Sequence, residues 1–250
     1  MDDRILLIPP VWAPDIHASS EAASVRVLLE RLESFLPLDI FSGPSLKGSK
    51  RLGQGVDWLI GCLREQVRPE HHILDMSTQT EALLVVLSSQ PARSLTMPGF
   101  YASPATAKAA GGEALAAGMS GAHAVVMQGP GQAFPVLMEG ADPRQVHSIV
   151  SALEGVMDRQ AHIEVTADFI ETDFLGKASV DIPILCLEPA TNVPSAPADL
   201  LRHFASDVRE GRLQEWGTRL QDEEGGHELA DKLIPFARQV IAEREAKAQT

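Results

Sequence analysis

The sequence predicts an α/β domain on a doubly wound, mostly parallel sheet, with a helical cap inserted between two strands. Three observations predict it. Short apolar runs at Arg4 to Pro9 (RILLIP), His71 to Met76 (HHILDM) and Ile182 to Leu187 (IPILCL) suit strands buried on both faces. Segments with apolar residues at helical spacing separate such runs, so strand and helix alternate along the chain. Between Tyr101 and Val180 the alternation lapses into an Ala-, Gly- and Met-rich stretch, helically spaced at Val146, Ile149, Val150, Leu153 and Val156. Residues 1–100 and 181–250 are therefore expected to form the core and residues 101–180 the cap.

Each element has its own signal. The first strand ends at Pro9-Pro10, and Ser19 or Ser20 can cap a helix whose face is Val25, Leu28, Leu29, Leu32 and Phe35. Leu38 to Phe41 fits a short strand, followed by a Gly/Ser-rich connection from Ser42 to Gly55. Val56, Leu59, Ile60 and Leu63 begin the next helix, which Pro69 ends. His71 to Met76 is a strand and Glu81 to Leu87 a helix, which makes Ser77 to Thr80 a tight turn. Ser94 to Met97 reads as a strand, Ala198 to Val208 as a helix, Trp216 to Leu220 as a weak strand, and Glu228 to about Arg244 as the last helix.

Composition narrows the function classes. With 44% hydrophobic and 22% charged residues over 250 positions, the chain can bury a sizeable core. A net charge of −13 repels nucleic-acid phosphates and anionic headgroups, and the cations Lys47, Lys50 and Arg51 read as a solvated loop. Neither a nucleic acid nor a membrane is expected as a partner. The apolar run of MDDRILLIPP is too short for a secretory signal, and no stretch approaches the roughly 20 apolar residues of a membrane span, so cytoplasmic residence is expected. Cys62 and Cys186 lie in apolar stretches and form no metal or disulfide pattern. Gly111-Gly112 and Gly129-Pro130-Gly131 follow no strand that would let them cradle phosphate. A small-molecule substrate and no cofactor or metal are the expectation.

The residues that carry chemistry lie at two junctions. Leu74-Asp75-Met76-Ser77-Thr78-Gln79-Thr80 sets a serine at a sharp strand-to-helix turn, and Glu224-Gly225-Gly226-His227 precedes the predicted last helix. In this order, serine early and histidine late, the chain resembles the α/β-hydrolase family, whose nucleophile elbow reads GxSxG. Here Asp75 and Gln79 stand at the two glycine positions. The resemblance implies an α/β-hydrolase-type sheet with Ser77 as nucleophile and His227 as general base, on an ester, thioester or related carbonyl substrate, and the apolar, small-residue cap suggests a hydrophobic or bulky one. It implies an acid after the Ile182 to Leu187 strand, where Asn192 falls at the usual aspartate position and Glu188 ends the strand; Asp222 and Glu223 lie nearer the histidine. Asparagine can hold a histidine tautomer but does not stabilise an imidazolium by charge. Oxyanion donors would be the N–H groups of Thr78 and of Val11 or Trp12, since Pro9 and Pro10 have none.

Two further readings use the same residues. Folds of this family also host cyclases and lyases, in which His227 would serve as acid or base and Ser77 would hydrogen-bond the ligand. A non-catalytic binding or scaffold protein would present the cap to another protein or to a second copy of itself. Taken alone, Ser77 is also the residue type that caps a helix, and His227 a surface residue beside a Gly-Gly turn.

Overall fold

The computed structural model describes residues 2–9, 23–42, 55–77, 80–100, 102–109, 113, 116, 143–144, 146–147, 150–151, 172–174, 176, 178–189, 198–215 and 222–249. The elements are β1 (Arg4–Ile8), α1 (Ala23–Phe35), β2 (Leu38–Ile40), α2 (Gly55–Gln66), β3 (His71–Asp75), α3 (Thr80–Leu87), β4 (Ser94–Pro98) and α4 (Pro104–Ala109). After the inserted segment come β5 (Ile184–Glu188), α5 (Ala198–Leu201), β6 (Val208–Arg212) and α6 (Glu224–Ala248). Among the described residues six strands form one sheet in the order β2-β1-β3-β4-β5-β6, and every pairing is parallel.

Strand alternation explains the two cores. Ile5, Leu7, Leu74, Leu185 and Leu187 pack on one face with Val25, Leu28 and Leu32 of α1 and Leu229, Leu233 and Val240 of α6. Leu6, Ile8, Ile73, Leu95, Met97, Ile184 and Cys186 pack on the other with Leu63 of α2, Leu83, Leu84 and Leu87 of α3, and Leu200 and Leu201 of α5. All five residues of β3 and all five of β4 are buried, which is why these strands read as unbroken runs rather than as alternating ones. After Pro98, Gly99 turns the chain at φ 112°, a conformation that favours glycine.

The strand order fixes where a ligand can enter. From β1 the chain moves outward to β2 and then returns to the other side of β1 to form β3, so the topology reverses between β1 and β3. Open α/β sheets bind ligands in the crevice beyond the carboxyl ends of the strands at such a reversal. Residues 9 and 76 follow those two ends, where Met76 N–H donates to the Ile8 carbonyl at 2.9 Å.

The C-terminal third departs from expectation in two places. The helix expected over Ala198 to Val208 ends at Leu201, and Val208–Arg212 is the edge strand β6; the weak strand expected at Trp216 to Leu220 lies outside the described residues. VREGR carries little apolar signal because an edge strand is protected by charge. Arg212 pairs with Glu188 at 2.8 Å, Arg209 with Asp207 and Glu243 at 3.2 and 3.1 Å, and Arg202 with Glu210. The last helix begins at Glu224 rather than Glu228, so Gly225, Gly226 and His227 form its first turn. Its glycines are not turn punctuation. A Cβ on Gly226 would lie 2.0 Å from the Ser24 carbonyl oxygen, so glycine is what lets α6 lie against α1.

The expected cap falls largely outside the described residues. Of its span, Pro104–Ala109 is helical, as are positions 113, 116, 143–144, 146–147 and 150–151. Both roots of the segment belong to the main core, through Ala102 and Ala107 on the way out and Phe174 and Ala178 on the return. Among the described residues no helix is long and apolar enough to cross a membrane, and no cluster of three or more His, Cys, Asp or Glu residues could hold a metal ion.

Candidate active site

Ser77 stands at the reversal point, two residues beyond the end of β3 and three before α3. The turn is built by Asp75. Ser77 N–H donates to Asp75 Oδ1 at 2.9 Å, closing an Asx-type turn in which a carboxylate takes the part of a backbone carbonyl. No non-glycine residue among those described, Ser77 included, has positive φ. The residue therefore reaches the sheet edge without the strained backbone that flanking glycines would permit, and Asp75 at the first glycine position is compatible with it.

The polar groups under this turn are deeply buried. Asp75 is 1% exposed and Glu81, in the first turn of α3, is fully buried. Burial pushes the Asp75 carboxyl above its ordinary pKa, against the amide and hydroxyl of Ser77 and the Thr80 hydroxyl, which pull it down. Glu81 is pushed up to about 7 by burial, opposed by hydrogen bonds from Ser103 and Thr106, with Asp173 adding like-charge repulsion. Among the described residues Asp75 Oδ2, Thr80 Oγ1 and Glu81 Oε1 are buried with no hydrogen-bond partner of good geometry, although the Thr80 hydroxyl lies near enough to Asp75 to lower its pKa.

Glu81 also anchors the inserted segment. Its Oε2 accepts the Ser103 N–H at 3.0 Å. The Ser103 hydroxyl lies 3.0 Å from Thr106 Oγ1 and 3.0 Å from the Thr172 carbonyl oxygen, and Phe174 N–H donates to Thr106 Oγ1 at 3.2 Å. The outgoing and returning ends of the insertion are thus stitched together beside α3 and hung from one carboxyl.

His227 lies in the first turn of α6. Because α6 packs along α1 antiparallel to the strands it covers, this turn is at the same carboxyl edge as Ser77. The residue is exposed, its N–H donates to the Glu223 carbonyl at 3.1 Å, and its own carbonyl accepts from Arg31 of α1 at 3.2 Å. Among the described residues no hydrogen bond joins its ring to Ser77 or to Glu188.

Solved structures named as a hydrolase, an esterase and an iminopeptidase share this arrangement of strands and helices. The chain superposes on a hydrolase from Oleispira antarctica with a TM-score of 0.62 at 11% identity, over 95% of this chain and 92% of that one. An esterase from Exiguobacterium antarcticum matches with a TM-score of 0.62 at 11% identity, over 94% and 92% of the two chains. A proline iminopeptidase from Mycobacterium smegmatis matches with a TM-score of 0.57 at 14% identity, over 95% and 90%. The chain has an α/β-hydrolase fold. No protein-family model matches it, and no curated protein matches it in sequence.

Within this α/β-hydrolase fold the expected site residues divide into three groups. Ser77 and His227 share the carboxyl edge of the sheet. Glu188 ends β5 at that edge, but it is exposed and ion-paired with Arg212 across to β6. Val11, Trp12, Thr78 and Asn192 lie outside the described residues. Glu223 precedes α6 and pairs with Arg26 of α1 at 2.9 Å. The parts missed in the sequence were Asp75 and Glu81. An aspartate two residues before a serine at a strand end is the signature of an Asx turn and could have been read as such. Nothing local marks Glu81, an acid in the first turn of a helix, as buried.

His71 and His72 belong to the opposite edge. His71 Nδ1 accepts the Arg68 N–H at 3.0 Å and its Nε2 lies 3.2 Å from Asp39, while His72 Nδ1 lies 2.8 Å from Ser94 Oγ. Both are buried inside β3 and take no part in the crevice.

Proposed function

We propose that the chain is a hydrolase that opens a hydrophobic ester, thioester or related carbonyl compound, with Ser77 as nucleophile and His227 as general base. The observation that carries the reading is the position of Ser77, in the turn between β3 and α3 at the point where the strand order reverses. The hydrolase fold and the location of His227 at the same edge support it. Ser77 Oγ forms a bond to the carbonyl carbon as its proton passes to His227, and the π pair moves onto the oxygen. Backbone N–H groups of Thr78 and of Val11 or Trp12 would stabilise that oxyanion. Collapse expels the alcohol or thiol, which takes the proton from His227, and water repeats the sequence to release the acid. The contact between Ser77 and His227 would form in the substrate complex, as catalytic hydrogen bonds often tighten only there. Glu188 or Asn192 would orient the imidazole. A fluorophosphonate probe tests the reading: labelling at Ser77, lost in Ser77→Ala, is expected, and an unlabelled protein beside a labelled control hydrolase overturns it.

A second reading is favoured by the exposure of His227 at the carboxyl edge of the sheet. In it the enzyme is a cyclase or lyase, His227 moves the proton alone, and Ser77 only orients the ligand. Turnover that survives Ser77→Ala and disappears in His227→Ala selects it over hydrolysis.

A further inference from the structure

The geometry points to Asp75 as a positioning residue for Ser77, fixing by a side-chain hydrogen bond the turn that glycines would otherwise shape. The inference rests on the reading of Ser77 as nucleophile and adds how the serine is held. Three observations carry it. Asp75 Oδ1 accepts the Ser77 N–H at 2.9 Å, so the carboxyl grips the backbone of the serine itself. Asp75 is the last residue of β3, paired in register with Ile8 of β1, and is 1% exposed, so the grip is anchored in the rigid centre of the sheet. Ser77 adopts no positive φ, so the turn that this hydrogen bond closes has a backbone open to ordinary residues and does not depend on flanking glycines.

The chemistry of the acceptor separates positioning from proton transfer. Only an oxygen lone pair is required to hold the Ser77 amide, and an asparagine side chain supplies one at the same place. A general base, by contrast, needs a carboxylate. Asp75→Asn should keep the turn and the nucleophile, whereas Asp75→Ala should release the amide and let the hydroxyl wander, and a displacement of about 1 Å costs on the order of 10²-fold in rate.

The experiment measures fluorophosphonate labelling rates for the wild type, Asp75→Asn, Asp75→Ala and Ser77→Ala, together with hydrogen exchange at the amide of residue 77. Expected are near wild-type labelling in Asp75→Asn, a fall of about 10²-fold in Asp75→Ala, and a slowly exchanging amide 77 in the wild type and in Ser77→Ala. Equal labelling of Asp75→Ala and the wild type overturns the proposal, as does an Asp75→Asn rate as low as that of Asp75→Ala. Should Asp75→Ala not fold, the wild-type amide decides, since rapid exchange there means Asp75 does not hold it. A wild type that does not label at all defeats the nucleophile reading, while protection of amide 77 still tests Asp75 separately.

Discussion

Gly226 of α6 lies so close to Ser24 of α1 that a methyl group on it would come within 2.0 Å of the Ser24 carbonyl oxygen. The obstacle is backbone at the start of a buried helix, and it cannot rotate away. Gly226→Ala should therefore cost about 3 kcal/mol or more in urea unfolding, despite the better helix propensity of alanine. Because His227 is the next residue, the displaced turn should also lower any activity that depends on it. Gly211→Ala is the contrast. Its Cβ would meet Leu187 Cδ2 at 2.8 Å, the end of a side chain in the core, so relief asks for repacking of one leucine and not for a shift of backbone, and the loss should be smaller.

Glu81→Gln tests the buried carboxyl. Burial holds its pKa at about 7 against an ordinary 4.5, so between these values the folded protein keeps a proton that the unfolded chain gives up. Stability from this group is complete below pH 4.5 and is lost as pH rises to 7, a difference on the order of 3 kcal/mol. Glutamine still accepts the Ser103 N–H and never ionises. Variant and wild type should unfold alike at pH 4.5, and the variant should be the more stable at pH 8, as measured by denaturant midpoints at each pH.

His72 has the opposite sign. Burial lowers its pKa from 6.5 to about 4, so the unfolded chain takes up a proton before the folded one does. Its contribution is present above pH 6.5 and is lost as pH falls toward 4, by roughly 3 kcal/mol. His72→Gln should flatten the acid limb of the stability profile between those values. An unchanged limb would mean that the ring is solvated in the folded protein.

Much of the fold could be read along the chain because hydrophobic pattern is a local property. The runs at β1, β3 and β5 are apolar because both faces of a central strand are covered, and the alternation with helices requires parallel pairing. β6 escaped the same reading because an edge strand carries charge in place of apolar side chains. Ser77 is legible from its place between β3 and α3, whereas the role of Asp75 is not, because an aspartate stands where the elbow motif has glycine.

What the sequence determined by itself, then, is the class of fold and the strand end at which a serine stands. Tertiary structure decided the rest. The reversal between β1 and β3 appears only when the strands take their order, and Gly226 becomes a helix contact only when α1 lies beneath it. Glu81 reads as an ordinary acid in a helix's first turn until Ser103 and Thr106 cover it. Burial of a charged or small residue depends on which distant segment comes to rest on it, and no local periodicity records that.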